Sequence, residues 1–91
     1  MHRELHAIFH GIVQGVCFRR TICDHARDLH LVGTVKNLDN GSVEVVVQGS
    51  EKQINIFLER VNSSPGHATI NYIDHQIRDS QVDYKNFNII Y

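Results

Sequence analysis

The order of elements in the sequence predicts an α+β fold of the ferredoxin-like type. In this βαββαβ arrangement a four- to five-stranded antiparallel sheet carries two helices on one face. Three observations predict it. Apolar residues alternate with polar ones over residues 3–10 and again from Val43, which marks half-buried strands. Apolar residues recur at helical spacing over 18–30 and 54–61, which marks two amphipathic helices. Between the second and third strands lies Asp39-Asn40-Gly41-Ser42, and Asn-Gly readily takes the positive φ angles of a tight hairpin.

In the first strand, Leu5, Ala7 and Phe9 share one face and Glu4, His6 and His10 the other, with Ile8 breaking the pattern. A glycine-punctuated loop, 11–17, follows. Phe18, Ile22, Ala26 and Leu29 then make the apolar stripe of a helix, with Arg20, Asp24, Arg27 and Asp28 off it. Residues 31–38 read as the second strand. In the third, Val43, Val45 and Val47 oppose Glu44 and Gln48. Ser50-Glu51-Lys52-Gln53 is a capping box, and it opens a helix with Ile54, Phe57, Leu58 and Val61 on one side. Ser63-Ser64-Pro65-Gly66 ends that helix. Residues 69–77 form the fourth strand, 78–83 are polar and loop-like, and 87–91 add a short fifth strand. No repeat, linker or low-complexity segment interrupts 1–91, which is read as one domain.

This topology has a consequence for function. The first helix is a right-handed crossover between the parallel first and second strands, with the third strand between them. Both strands then end at the same edge of the sheet. The 11–17 loop and Asn37 become neighbours, roughly 10 Å apart across one strand.

The loop has the parts of an anion cradle. Gly11-Ile12-Val13-Gln14-Gly15-Val16-Cys17-Phe18-Arg19-Arg20 leads from a strand through two glycines into a helix N-terminus. There, unsatisfied N–H groups and the helix dipole favour negative charge. An arginine adds a fixed charge on a planar fork of donors. Arg19 and Arg20 lie about 100° apart on a helix, so both do not aim at one phosphate.

Composition narrows the partners. The chain of 91 residues has a formal net charge of −1, which argues against a general nucleic-acid or anionic-membrane binder. The third strand carries no aromatic residue, as an RNA-reading sheet face would require. Charges interrupt Met1-His2-Arg3-Glu4-Leu5-His6 before any signal-like apolar run develops. No segment approaches the ~18 apolar residues of a membrane span. Cys17 and Cys23 fall on different sides of one helix start, so an internal disulfide is not expected. The expectation is a cytoplasmic protein with reduced thiols.

Three other chemistries are set aside. Cysteine-dependent phosphatases close a loop with an arginine six positions after the nucleophile, where this chain has Cys23, so Cys17 is a loop residue. The Gly11…Gly15 spacing lacks the Gly-Lys-Ser/Thr end of a nucleotide P-loop. His2, His6 and His10, four apart on a strand, are about 13 Å from one another in sequence steps and cannot share a metal ion. No metal or cofactor is expected.

The stretch Gly11-Ile12-Val13-Gln14-Gly15-Val16-Cys17-Phe18-Arg19 closely resembles the G-x-V-Q-G-V-x-F-R signature of the acylphosphatase family. Gly33-Thr34-Val35-Lys36-Asn37 resembles its second motif, and the likeness continues through Asn40–Val45, Gln48-Gly49 and Phe87–Tyr91, covering essentially the whole chain. Thr34 stands where the family usually has an aromatic residue, and Ile90 where an arginine often precedes the final aromatic one. Neither departure touches the residues to which the family's catalysis is ascribed.

The resemblance implies the same fold and the hydrolysis of acyl phosphates to a carboxylate and inorganic phosphate. It implies that Arg19 binds phosphate together with the backbone N–H groups of Gln14, Gly15, Val16, Cys17 and Phe18. It also implies that Asn37 positions the attacking water and that a substrate phosphate oxygen serves as base. The expected partner is a small-molecule acyl phosphate, handled by a monomer without metal or cofactor. The alternative is a non-catalytic module of the same fold that binds an anion or a protein.

Overall fold

In a computed structural model, which describes residues 2–80 and 82–91, the chain forms seven elements. They are β1 (Arg3–Ile12), α1 (Phe18–Asp28), β2 (Val32–Asn37), β3 (Val43–Gly49), α2 (Glu51–Ser63), β4 (Thr69–Asp79) and β5 (Phe87–Ile90). The strands make one sheet in the order β4-β1-β3-β2-β5. β3 lies between β1 and β2 and antiparallel to both, so β1 and β2 run parallel as the crossover demands.

The sheet is mixed rather than wholly antiparallel. β5 pairs with β2 in parallel, from Gly33 opposite Phe87 to Lys36 opposite Ile90. The path of the chain explains this. β4 runs antiparallel to β1 and brings Asp79 opposite Arg3, at the end of the sheet where β1 begins. The crossover then reaches the far edge beside the start of β2 and can only proceed in β2's direction.

The alternation read in β1 and β3 sets the core. Leu5, Ala7, Phe9, Val43, Val45 and Val47 are fully buried on the helix face of the sheet. Against them pack Phe18, Ile22 and Ala26 of α1 and Ile54, Phe57 and Val61 of α2, all buried. Phe9 and Phe18 meet edge to face with centroids 5.4 Å apart, which locks the start of α1 onto β1.

Helix ends follow local chemistry. α2 has the expected capping box: the Ser50 side chain accepts from the Gln53 N–H, and the Gln53 side chain accepts from the Ser50 N–H. α1 stops at Asp28, two residues before the expected end. His30 turns to φ 58, Leu31 N–H donates to the Ala26 carbonyl at 2.9 Å, and His30 N–H donates to that of Arg27 at 3.0 Å. This is a Schellman closure, with Leu31 buried beyond it.

The outer face of the sheet holds a surprise. Glu4, expected in solvent, is 1% exposed. It accepts from Arg78 Nε at 2.7 Å and from Gln48 Nε2 at 2.9 Å. Gln48 also donates to the Val82 carbonyl and accepts from Tyr84 N–H at 3.2 Å. The crossover between β4 and β5 therefore lies over this end of the outer face, fastened to β3 by one glutamine. For the same reason β4 runs on through Asp79, beyond the loop expected from residue 78: Arg78 is held by Glu4.

Candidate active site

β1 continues past Gly11 to Ile12 through an irregularity in its pairing with β4 between His10 and Gly11. Gly11 sits at φ 140, where a Cβ would lie 2.1 Å from the Thr69 carbonyl oxygen, so only glycine fits. The chain then leaves the sheet. Gly15 (φ 74) and Cys17 (φ 60) both take left-handed backbone conformations before α1 begins at Phe18. Left-handed residues in a short loop turn successive N–H groups toward one side and make an anion-binding concavity.

The N-terminus of α1 is chemically bare. Cys17 is the N-cap and supplies no side-chain hydrogen bond, and no acidic residue occupies the first turn. α2, by contrast, has its capping box and Glu51. The first N–H groups of α1 thus lack a side-chain partner, and the dipole there lacks a compensating charge.

Arg19 and Arg20 diverge as the helical geometry requires. Arg19 is half-buried, with its guanidinium carbon 5.0 Å from the centre of the Tyr91 ring. Arg20 points to solvent, where its Nε lies 3.7 Å from Asp24 one turn on. Phe18 is 1% exposed, so its side chain belongs to the core and only its backbone faces the loop. Val16 packs partly against the core, while Cys17 is exposed. Both cysteines are free thiols; Cys23 is buried and donates to the Phe87 carbonyl at 3.9 Å.

Asn37 ends β2, paired with Val43 of β3, which is itself paired with Phe9 of β1. Its Oδ1 is buried and has no hydrogen-bond partner among the described residues. A buried amide oxygen left unpaired costs about 1–3 kcal/mol, and native structures retain such atoms for a reason.

Two contributions escaped the sequence reading. Gln14 was expected to offer its backbone. Its side chain also donates from Nε2 to the carbonyls of Leu38 and Ser42, both at 2.8 Å, joining the loop to the β2–β3 turn. Tyr91 was assigned no role, yet it covers Arg19. Tyr91 carried no sequence signal, because its place beside Asn37 follows from the parallel pairing of β5 with β2. For Gln14 the only signal was an amide placed next to a loop glycine.

Two histidines of β1 meet carboxylates. His6 Nε2 is 2.8 Å from Glu44 and His10 Nε2 is 3.1 Å from Asp74, on the outer face. Among the described residues no three His, Cys, Asp or Glu side chains gather to hold a metal, and no helix is long and apolar enough to cross a membrane.

Residues 5–89 match the acylphosphatase family. The chain is 37% identical over 89 residues to the acylphosphatase of Geobacillus kaustophilus, an alignment spanning 98% of this chain and 95% of that protein. The chain belongs to the acylphosphatase family. Among solved structures, acylphosphatase from Bacillus subtilis superposes with a TM-score of 0.92 at 31% identity, covering 98% of this chain and 99% of that one. Full-length HypF in its phosphate- and nucleotide-bound form matches with a TM-score of 0.92 at 29% identity, over 100% of this chain and 12% of that one. Within the acylphosphatase fold, the two motifs read from the sequence meet at one edge of the sheet: the 13–19 segment from β1 and α1, and Asn37 from β2.

Proposed function

We propose that this acylphosphatase-family protein hydrolyses the carboxyl–phosphate anhydride bond of acyl phosphates. In this reading Arg19 and the backbone N–H groups of residues 14–18 grip the phosphate, and Asn37 holds the attacking water. The observation that carries it is the uncapped start of α1 beside a half-buried Arg19, at the sheet edge where Asn37 keeps an unpaired side-chain oxygen.

The chemistry suits these parts. Water oxygen forms a bond to phosphorus while the bond from phosphorus to the acyl oxygen breaks. The electron pair leaves on a carboxylate, a good leaving group that needs no general acid. The water's proton passes to a phosphate oxygen of the substrate, and the products are a carboxylate and inorganic phosphate. What remains for the protein is charge stabilisation and alignment. Fixed N–H donors and a guanidinium supply the first, and a side-chain amide supplies the second. The reaction requires no second subunit, metal or cofactor.

Two substitutions test the roles, read as phosphate release from acetyl or benzoyl phosphate. Arg19→Ala is expected nearly to abolish turnover and to weaken inhibition by inorganic phosphate. Asn37→Ala is expected to remove turnover while phosphate still binds. Full activity in either variant removes that residue from the site. The second reading is an anion-binding module of the same fold without turnover. Absence of phosphate release from the intact protein would select it.

A further inference from the structure

We infer that the side-chain amide of Gln14 is a positioning residue that sets the spacing between the phosphate cradle and Asn37. This rests on the roles proposed above for those two halves. The sheet itself stops short of the site. β3 holds β1 only as far as Phe9 and holds β2 only as far as Asn37, both opposite Val43. Beyond that pair β1 leans on β4 alone, and its continuation, the 13–17 loop, shares no backbone ladder with the β2–β3 turn.

Gln14 spans the gap. Its Nε2 lies 2.8 Å from the Leu38 carbonyl oxygen and 2.8 Å from that of Ser42. An atom set between two carbonyls must be the amino end of the amide, so the orientation of the side chain is fixed by its partners. One end of the tie is adjacent to Gly15, the first left-handed residue of the cradle. The other end is adjacent to Asn37.

The turn does not need this tie in order to close. The Leu38 carbonyl already accepts from Gly41 N–H at 3.2 Å, and that of Ser42 from Leu38 N–H at 2.9 Å. Removing the glutamine amide leaves neither carbonyl without a donor. Its distinct contribution is registration of one half of the site against the other. In a reaction that depends on alignment, that registration acts on turnover rather than on grip, because the phosphate is held wholly from the cradle side.

The test is Gln14→Met, which keeps the length of the side chain and removes both donors. In a wild-type enzyme that turns over acetyl phosphate, kcat is expected to fall roughly tenfold or more, the scale of a misplacement well under 1 Å to 1 Å. The inhibition constant of inorganic phosphate stays near wild type. Wild-type kcat, or equal losses in kcat and phosphate binding, would each overturn the inference. If Gln14→Met does not fold, Gln14→Asn replaces it. It retains the amide but falls short of the turn, and an unchanged kcat in that folded variant is equally decisive. Should the wild-type protein release no phosphate, the proposed reaction has failed and the spacing is read by NMR. Gln14→Met then shifts the Asn37 side-chain amide resonances; unmoved resonances refute the tie.

Discussion

Glu4 offers a quantitative test of how the outer face is held. Glu4→Ala removes a buried carboxylate that accepts from Arg78 Nε at 2.7 Å and Gln48 Nε2 at 2.9 Å. Charge-assisted hydrogen bonds of this kind are worth about 1.5–3 kcal/mol each. Part of that returns in the variant, because Arg78 has 35% of its side chain exposed and can turn to water. Gln48 still has the Val82 carbonyl as an acceptor, so its amino group is not orphaned. The net loss is therefore about 2–3 kcal/mol, below the 3–5 kcal/mol of a fully buried pair that loses one member. For a chain of this size it corresponds to a fall in Tm of roughly 10–20 °C. Urea unfolding followed by far-ultraviolet circular dichroism measures it, since the chain has no tryptophan. Glu4→Gln separates charge from packing: its amide fills the space, but its amino end must face one of the two donors. It should lose about 1–2 kcal/mol, with the packing kept and one bond gone. A Glu4→Ala variant within about 0.5 kcal/mol of wild type, the range of an ordinary surface substitution, would refute the reasoning.

Three further outcomes are expected. Gly11→Ala should destabilise by more than about 2 kcal/mol, because its Cβ would meet the Thr69 carbonyl at 2.1 Å and force β1 from β4 at the mouth of the cradle; an unaltered urea midpoint contradicts this. His30→Gly should raise stability by about 0.5–1 kcal/mol, since an exposed L-residue holds the left-handed C′ position of α1 that glycine adopts freely; thermal unfolding gives the sign. Tyr91→Leu should weaken inhibition by inorganic phosphate about two- to fivefold, the loss of an exposed cation–π contact of ~0.5–1 kcal/mol on Arg19; an unchanged inhibition constant would show the stacking to be idle.

Much of the fold was legible because its signals are local. Alternation in β1 and β3, the Asn40-Gly41 turn and the Ser50–Gln53 capping box each speak of residues within a few positions of one another. That Arg19 and Arg20 diverge was likewise legible from helical geometry, while the choice between them rested on the resemblance. What was hidden depends on partners far apart in sequence. Glu4 looked like a solvated residue because nothing nearby announces Gln48, Arg78 or the crossover that covers them. The direction of β5 could not be read from four residues, since it follows from where β4 leaves the sheet. The Gln14 side chain escaped for a related reason: a polar residue in a loop has many possible acceptors, and only the assembled turn shows which ones it meets.

The pairing of β5 with β2 also bears on how the molecule assembles. Among the described residues, only β2 and β3 pair as close neighbours along the chain. The remaining ladders wait for distant segments, Arg3 for Asp79 and Gly33 for Phe87. Closing such long loops before their contacts are gained makes folding slow for so short a chain, in the range of milliseconds to seconds. Arg19 meets Tyr91 only after the crossover has delivered β5 to its edge. That contact is then a late event in refolding, and full affinity for inorganic phosphate after dilution from urea should return after the helical signal.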